Sequence, residues 1–226
     1  MKKIIGFDLD GTLVRSDVTQ ESHHFWFEEM AKLCNNPEIL KWEDERDYMK
    51  YAFKAMEEYT GLSHNNKEEE HILRKTIRTF YQMLTFKIIT SRGKESMYFK
   101  WSLLFTKLKK KGYSLALITT SPEDIVTIWK NELGLDKYFD IILKTTITEN
   151  PDKNMLFDRF VNEYEKPILY IGNSERDFIP CKKYNIPFIL ATWDPKSKGF
   201  DHLDVPKVEN LKELEEQLEI IIGEKL

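Results

Sequence analysis

The stretch Lys3-Ile4-Ile5-Gly6-Phe7-Asp8-Leu9-Asp10-Gly11-Thr12-Leu13 decides how the rest of this chain is read. The apolar run predicts a buried strand over 3–7, and the acids begin where that run stops. In a strand, residues i and i+2 face the same side. Asp8 and Asp10 therefore set two carboxylates side by side where strand gives way to loop. Gly11 removes a side chain just where the backbone must turn. Adjacent carboxylates repel unless a cation or a proton sits between them. The pattern predicts a magnesium-dependent nucleophile with a neighbouring proton carrier.

Four more short apolar runs, at 114–118, 139–143, 168–171 and 187–190, read as buried strands. Runs without polar alternation suit a parallel sheet covered on both faces. Helical patterns separate the later runs. Ser121-Pro122-Glu123-Asp124 predicts a helix start, with Ser121 as N-cap and Ile125, Ile128 and Trp129 turned inward, and Gly134 stops it. Asn150-Pro151 predicts another start, with Met155, Leu156, Phe160 and Tyr164 on one face. Alternating strands and helices indicate an α/β doubly wound parallel sheet, a Rossmann-like core.

Residues 15–93 break that rhythm. Three helical stretches, at 19–34, 37–60 and 67–86, carry many aromatic side chains and no strong strand signal. They predict an inserted all-α domain, leaving 1–14 plus 94–226 as the α/β core. Most of its aromatics, Trp26, Phe27 and Phe53 among them, read as that domain's own core.

With 226 residues the chain can build such a core and an insertion. Its net charge of -4 gives no reason to expect nucleic acid as partner. Lys109-Lys110-Lys111 before Gly112 reads as the solvated last turn of a helix. Cys34 and Cys181, far apart, argue against a zinc site or a disulfide framework and for a reducing compartment. Asp8 cuts the first apolar stretch too short for a signal sequence, and no stretch is long enough to span a membrane. A cytoplasmic protein is expected.

In an open parallel sheet, ligands bind at the carboxyl ends of the strands. Asp8 and Asp10 follow the first predicted strand, Thr119, Thr120 and Ser121 the second, and Gly172-Asn173-Ser174-Glu175-Arg176-Asp177 the fourth. Hydroxyls at one strand end and acids at two others make a phosphate-and-metal site.

Here the chain resembles the haloacid dehalogenase superfamily. The matching residues are Asp8-x-Asp10-Gly11-Thr12-Leu13, then Leu115-Ala116-Leu117-Ile118-Thr119, then Gly172-Asn173-x-x-x-Asp177. The helical insertion is similar to the cap of phosphoglycolate-phosphatase-like and phosphomutase-like members. The resemblance implies a Mg²⁺-dependent phosphatase acting on a small phosphorylated metabolite through an aspartyl-phosphate. Asp8 would be nucleophile and Asp10 the proton carrier. Mg²⁺ would bind at Asp8, the Asp10 carbonyl, Asn173 and Asp177, while Thr119, Thr120 and a lysine hold the phosphate. Two positions depart from the family pattern. Asn173 stands where an Asp is usual. The usual lysine before a helix-starting proline is replaced by Asn150, so Lys153 is the substitute, with Lys144 next. Alternatives that share these motifs are a phosphomutase and a non-catalytic member that binds a phosphorylated ligand or a protein. His23 and His24 in the insertion, and Trp193 and Asp194 after the fifth predicted strand, are further candidates for the substrate cleft.

Overall fold

The computed structural model describes residues 3–43, 48–146, 152–200 and 202–226, and the predicted helix start at Asn150-Pro151 lies outside them. The chain divides into two compact units, Met1–Ser16 with Gly93–Leu226, and Asp17–Arg92.

The first unit is built on six strands: β1 (Ile4–Phe7), β2 (Ser114–Pro122), β3 (Ile141–Thr145), β4 (Leu169–Gly172), β5 (Phe188–Ala191) and β6 (Lys207–Val208). All pair in parallel, in the order β3-β2-β1-β4-β5-β6. The predicted α/β doubly wound fold is therefore what forms. β6 has no counterpart in the sequence reading, since two residues, one of them exposed, leave no apolar run.

Alternation along β1 assigns its two faces. Ile4 joins a buried cluster with Leu156, Phe157 and Phe160 of α6 (Lys153–Glu163) and Cys181 of α7 (Glu175–Lys183). Phe7 points the other way, edge-on to Phe105 of α4 (Ser102–Lys110) at 5.4 Å and to Phe139 at 5.9 Å. Asp8 has the parity of Ile4, and its N–H still bonds Ile171 O at 2.8 Å. It consequently falls on the face covered by α6, and that parity brings Lys153 within reach.

Two local readings change. β2 runs through Pro122, and α5 (Glu123–Leu133) begins one residue later, so Ser121 lies in the strand and does not cap the helix. Gly134 does end α5, in the left-handed conformation. On α6, Met155 and Tyr164 are exposed, and the inward face is Leu156, Phe157 and Phe160.

The second unit contains most of α1 (Ser16–Leu33), a 3-10 turn (Pro37–Trp42), α2 (Tyr48–Thr60) and α3 (Lys67–Arg92). Trp26, Phe27, Met30, Phe53, Met56 and Ile77 make its core, the role expected of Trp26, Phe27 and Phe53. Arg92 ties the ends of the unit together, bonding Asp17 at 3.0 Å and also Glu21. Among the described residues, no helix is long and apolar enough to cross a membrane.

Candidate active site

The strand order reverses at β1, with β2 and β3 on one side and β4 to β6 on the other. The crevice beyond the carboxyl ends of β1 and β4 is the switch point where open α/β sheets bind ligands. An open cleft of about 720 Å³ lies there, with Asp8, Asp10, Thr120, Lys153, Asn173 and Asp177 in its wall.

Lys153 is the first residue of α6, behind the N-cap Asp152, whose side chain accepts from Asn154 N–H. A cation there opposes the helix dipole, and this one is buried as well. Its partners explain both facts. Lys153 Nζ donates to Asp8 Oδ1 at 2.5 Å and to Ile118 O at 2.8 Å, and pairs with Asp177 Oδ1 at 2.9 Å. Burial alone would lower the lysine pKa, but Asp177 and Asp8 outweigh it and raise it, so Lys153 stays charged. Lys144, by contrast, pairs with Glu123 at 3.5 Å.

Asp177 occupies the first turn of α7 in a capping box with Ser174. Its Oδ2 accepts from Ser174 Oγ at 2.7 Å and Ser174 N–H at 3.2 Å. Gly172 allows this, because a Cβ there would stand 2.7 Å from Asp177 Cβ. Both carboxylate oxygens of Asp177 are thus already bonded within the protein.

Asp10 is held by Ser121, whose Oγ donates to its Oδ2. The register between β2 and β3 shifts between Ile118 and Pro122, which frees residues 119–121 from the regular ladder. Thr119 is buried, and its Oγ1 accepts from Ser121 N–H at 3.0 Å. A hydroxyl that accepts there still has its own proton to donate. Gly11 turns the chain at φ +78°, and a Cβ on it would stand 2.0 Å from Asn173 Nδ2. Only glycine lets the loop after β1 approach Asn173 so closely.

Burial pushes the Asp8 carboxyl up to about 7, helped by the Asp177 charge and opposed by Lys153. Burial also raises Asp10, opposed first by the Ser121 hydrogen bond and then by Lys153 and Lys196. Asp10 Oδ1 is shut off from solvent without a hydrogen-bond partner. A stranded acceptor oxygen and a carboxylate reluctant to ionise both favour a cation at this point. Asp8, Asp10 and Asn173 offer oxygen donors only, the set that suits Mg²⁺. Among the described residues, no three His, Cys, Asp or Glu side chains gather as a metal group. Asn173, just after β4, brings an amide oxygen to the cleft wall and no charge.

The remaining candidates are placed as follows. His24 is exposed and bonds Glu43 at 2.8 Å, which raises its pKa, and His23 lies against Tyr81, all within the helical unit. Trp193 donates to Thr12 O at 3.0 Å. Asp194 is wholly buried, accepting from Tyr98 OH and from Lys196 N–H. These two brace the loop after β5, from which Lys196 and Phe200 line the cleft. Sequence reasoning placed Ser121 and Arg176 in the strand-end runs at the site without giving either a role there, and it passed over Lys196. Ser121 was hidden by its fit to a helix cap, and the two cations look like ordinary surface charge.

With this geometry in place, comparison with known proteins decides the family. The sequence profile of haloacid dehalogenase-like hydrolases matches residues 5–191. The chain belongs to that family. A relative from Clostridium perfringens, the candidate pyrophosphatase PpaX, is 25% identical over 187 residues, covering 80% of each chain. Among solved structures, CbbY from Rhodobacter sphaeroides in complex with phosphate superposes with a TM-score of 0.61 at 16% identity, covering 95% of this chain and 96% of that one. A subfamily IA hydrolase of the superfamily from Geobacter sulfurreducens gives 0.58 at 15% identity, covering 96% of both chains. At such identity the structural likeness speaks for the fold.

Proposed function

We propose that this hydrolase is a Mg²⁺-dependent phosphatase that cleaves small phosphate esters or anhydrides through an aspartyl-phosphate on Asp8. The observation that carries the reading is the arrangement at the end of β1. Asp8 is fixed by Lys153, and Asp10, two residues on, is fixed by Ser121.

In the first step an Asp8 oxygen bonds to phosphorus while the bond to the leaving oxygen breaks, and Asp10 gives that oxygen its proton. In the second, Asp10 takes a proton from water as the water oxygen bonds to phosphorus, releasing phosphate and restoring Asp8. The raised pKa of Asp10 suits a group that must hold a proton and then recover it. Lys153 orients the Asp8 carboxylate, and Asp177 holds Lys153. Thr119 and Thr120 offer hydroxyls and Lys153 positive charge to the phosphoryl oxygens. Asp8, the Asp10 carbonyl and Asn173 are the residues to hold Mg²⁺, with Asp177 behind them. A Mg²⁺ ion held there would supply charge neutralisation to the developing transition state. On the same reading, the helical unit is the cap that selects the substrate.

The test is phosphate release from p-nitrophenyl phosphate and a panel of phosphorylated metabolites, with Mg²⁺ or EDTA, comparing wild type with Asp8→Asn. Turnover that needs Mg²⁺ and vanishes in the variant is expected. Wild-type release no greater than that of Asp8→Asn on every substrate overturns the reading. Asn173, which brings no charge to the cation, favours a second reading as a phospholigand-binding member without turnover. That reading gains if the panel binds but is not hydrolysed.

A further inference from the structure

Asp194 is a buried charge that the proposed chemistry does not use. It lies in the loop after β5, and its two carboxylate oxygens accept from neutral donors, Tyr98 OH and the Lys196 N–H at 2.7 Å. A carboxylate is costly to bury without a cationic partner. With no exposed surface it cannot meet a substrate itself.

Its neighbours are the supports of the Asp10 loop. The turn that follows Asp10 closes on itself, with Gly11 N–H bonding Val14 O at 2.8 Å and Leu13 N–H bonding Leu9 O at 2.9 Å. Its other carbonyls are held from outside. Trp193 Nε1 donates to Thr12 O at 3.0 Å, while Trp101 Nε1 and Tyr98 N–H donate to Leu13 O at 3.1 and 3.2 Å. These donors come from two distant stretches, and the Tyr98–Asp194 bond, between residues 96 positions apart, joins them. Trp193 stands edge-on to Phe99 at 5.0 Å beside that bond. Asp194 Cγ would stand 3.3 Å from a Cβ on Gly11, so the link lies against the residue that follows Asp10. Burial and the bond to Asp194 push the Tyr98 phenol far above its ordinary pKa, which keeps it a donor.

We infer that Asp194 and Tyr98 are positioning residues for Asp10. Their bond locks together the two segments that hold the loop, and so fixes the carboxyl that passes its proton to the leaving oxygen. A carboxylate suits the task, because a hydrogen bond to a charged acceptor is about twice as strong as a neutral one. The inference deepens the phosphatase reading and rests on it for the role of Asp10.

A poor leaving group needs the proton from Asp10 more than a good one does. At saturating Mg²⁺, kcat/KM is measured for p-nitrophenyl, phenyl and p-methoxyphenyl phosphate, since that ratio reports the step in which the leaving group departs. Tyr98→Phe keeps the ring beside Trp193 and Phe99 and removes only the hydrogen bond. It is expected to lower kcat/KM about tenfold more for the phenyl and p-methoxyphenyl esters than for p-nitrophenyl phosphate. Asp194→Ala should do the same, and Asp194→Asn, which can still bond Tyr98, should lie closer to wild type. Equal losses on all three esters, or no loss, overturns the inference.

A second measurement needs no turnover. Amide hydrogen exchange across residues 9–14 should quicken about tenfold in Tyr98→Phe, while β4 stays as protected as in wild type. Unchanged exchange in 9–14, or an equal rise in β4, also overturns the inference. Wild type that hydrolyses none of the esters overturns the phosphatase reading instead, and the exchange pattern still decides whether the Tyr98–Asp194 bond holds the loop.

Discussion

Lys153 Nζ stands 2.5 Å from Asp8 Oδ1, an ion pair between the start of α6 and the residue that ends β1, with both side chains at least nine-tenths buried. The same ammonium also holds Asp177. One cation therefore keeps two buried carboxylates compatible and fixes the orientation of the candidate nucleophile. Removing one partner from a buried ion pair leaves an uncompensated charge.

Lys153→Met should accordingly be severe. Stability in urea is expected to fall by about 3–5 kcal/mol, the usual cost of breaking a buried pair. Denaturation midpoints at pH 5 and pH 8 check the cause. The loss should be smaller at pH 5, where the raised Asp8 carboxyl is protonated. An equal loss at both pH values would assign the effect to packing.

The Asp8 carboxyl itself predicts a pH slope. Its folded pKa of about 7 exceeds the ordinary aspartate value of 3.8, so between those values the folded state keeps a proton that the unfolded state has lost. Stability of the metal-free protein should fall as pH rises through this window and level off above it. Below about pH 4 its stabilising contribution is fully present and adds no slope, because both states are protonated. Asp8→Asn should flatten the slope in a series of thermal melts in EDTA.

Ser121→Ala removes the strongest influence holding the Asp10 pKa down. The limb of the pH profile belonging to Asp10 should move to higher pH, and kcat should fall about tenfold, in line with losing a hydrogen bond to a charged group. Rate profiles for wild type, Ser121→Ala and Ser121→Thr check this, with Thr retaining the wild-type profile more closely.

Asn173→Asp restores a charge at the end of β4. Cation affinity follows the charge count of the ligands. The half-saturating Mg²⁺ concentration should drop about tenfold, equivalent to about 1.4 kcal/mol. Mg²⁺ titration followed by calorimetry and by activity reads it, and no change would place Asn173 away from the ion.

Much of this was legible along the chain. The run Ile4 to Phe7 followed by Asp8-x-Asp10-Gly11 located the sheet's centre and its acids, because a two-residue period and a glycine turn are local properties. A lysine in a first helical turn runs against the dipole, which marks Lys153 as the substitute cation, and the structure sets it on Asp8. Ser121 reads as a helix cap because Ser-Pro-Glu-Asp satisfies local capping rules, while the β2–β3 pairing extends the strand past it.

The sequence by itself determined the α/β class, the helical insertion and the strand ends where the chemistry gathers, since periodicity and turn residues act over a few positions. Tertiary structure alone decided which charges meet. Lys153 and Asp8 are 145 positions apart, and Ser121 and Asp10 are 111 apart. That Asp177 both lines the cleft and holds Lys153, and that the Lys196 backbone N–H is tied to Asp194, follow from strand order and burial. Those join distant segments and leave no periodic trace in the sequence.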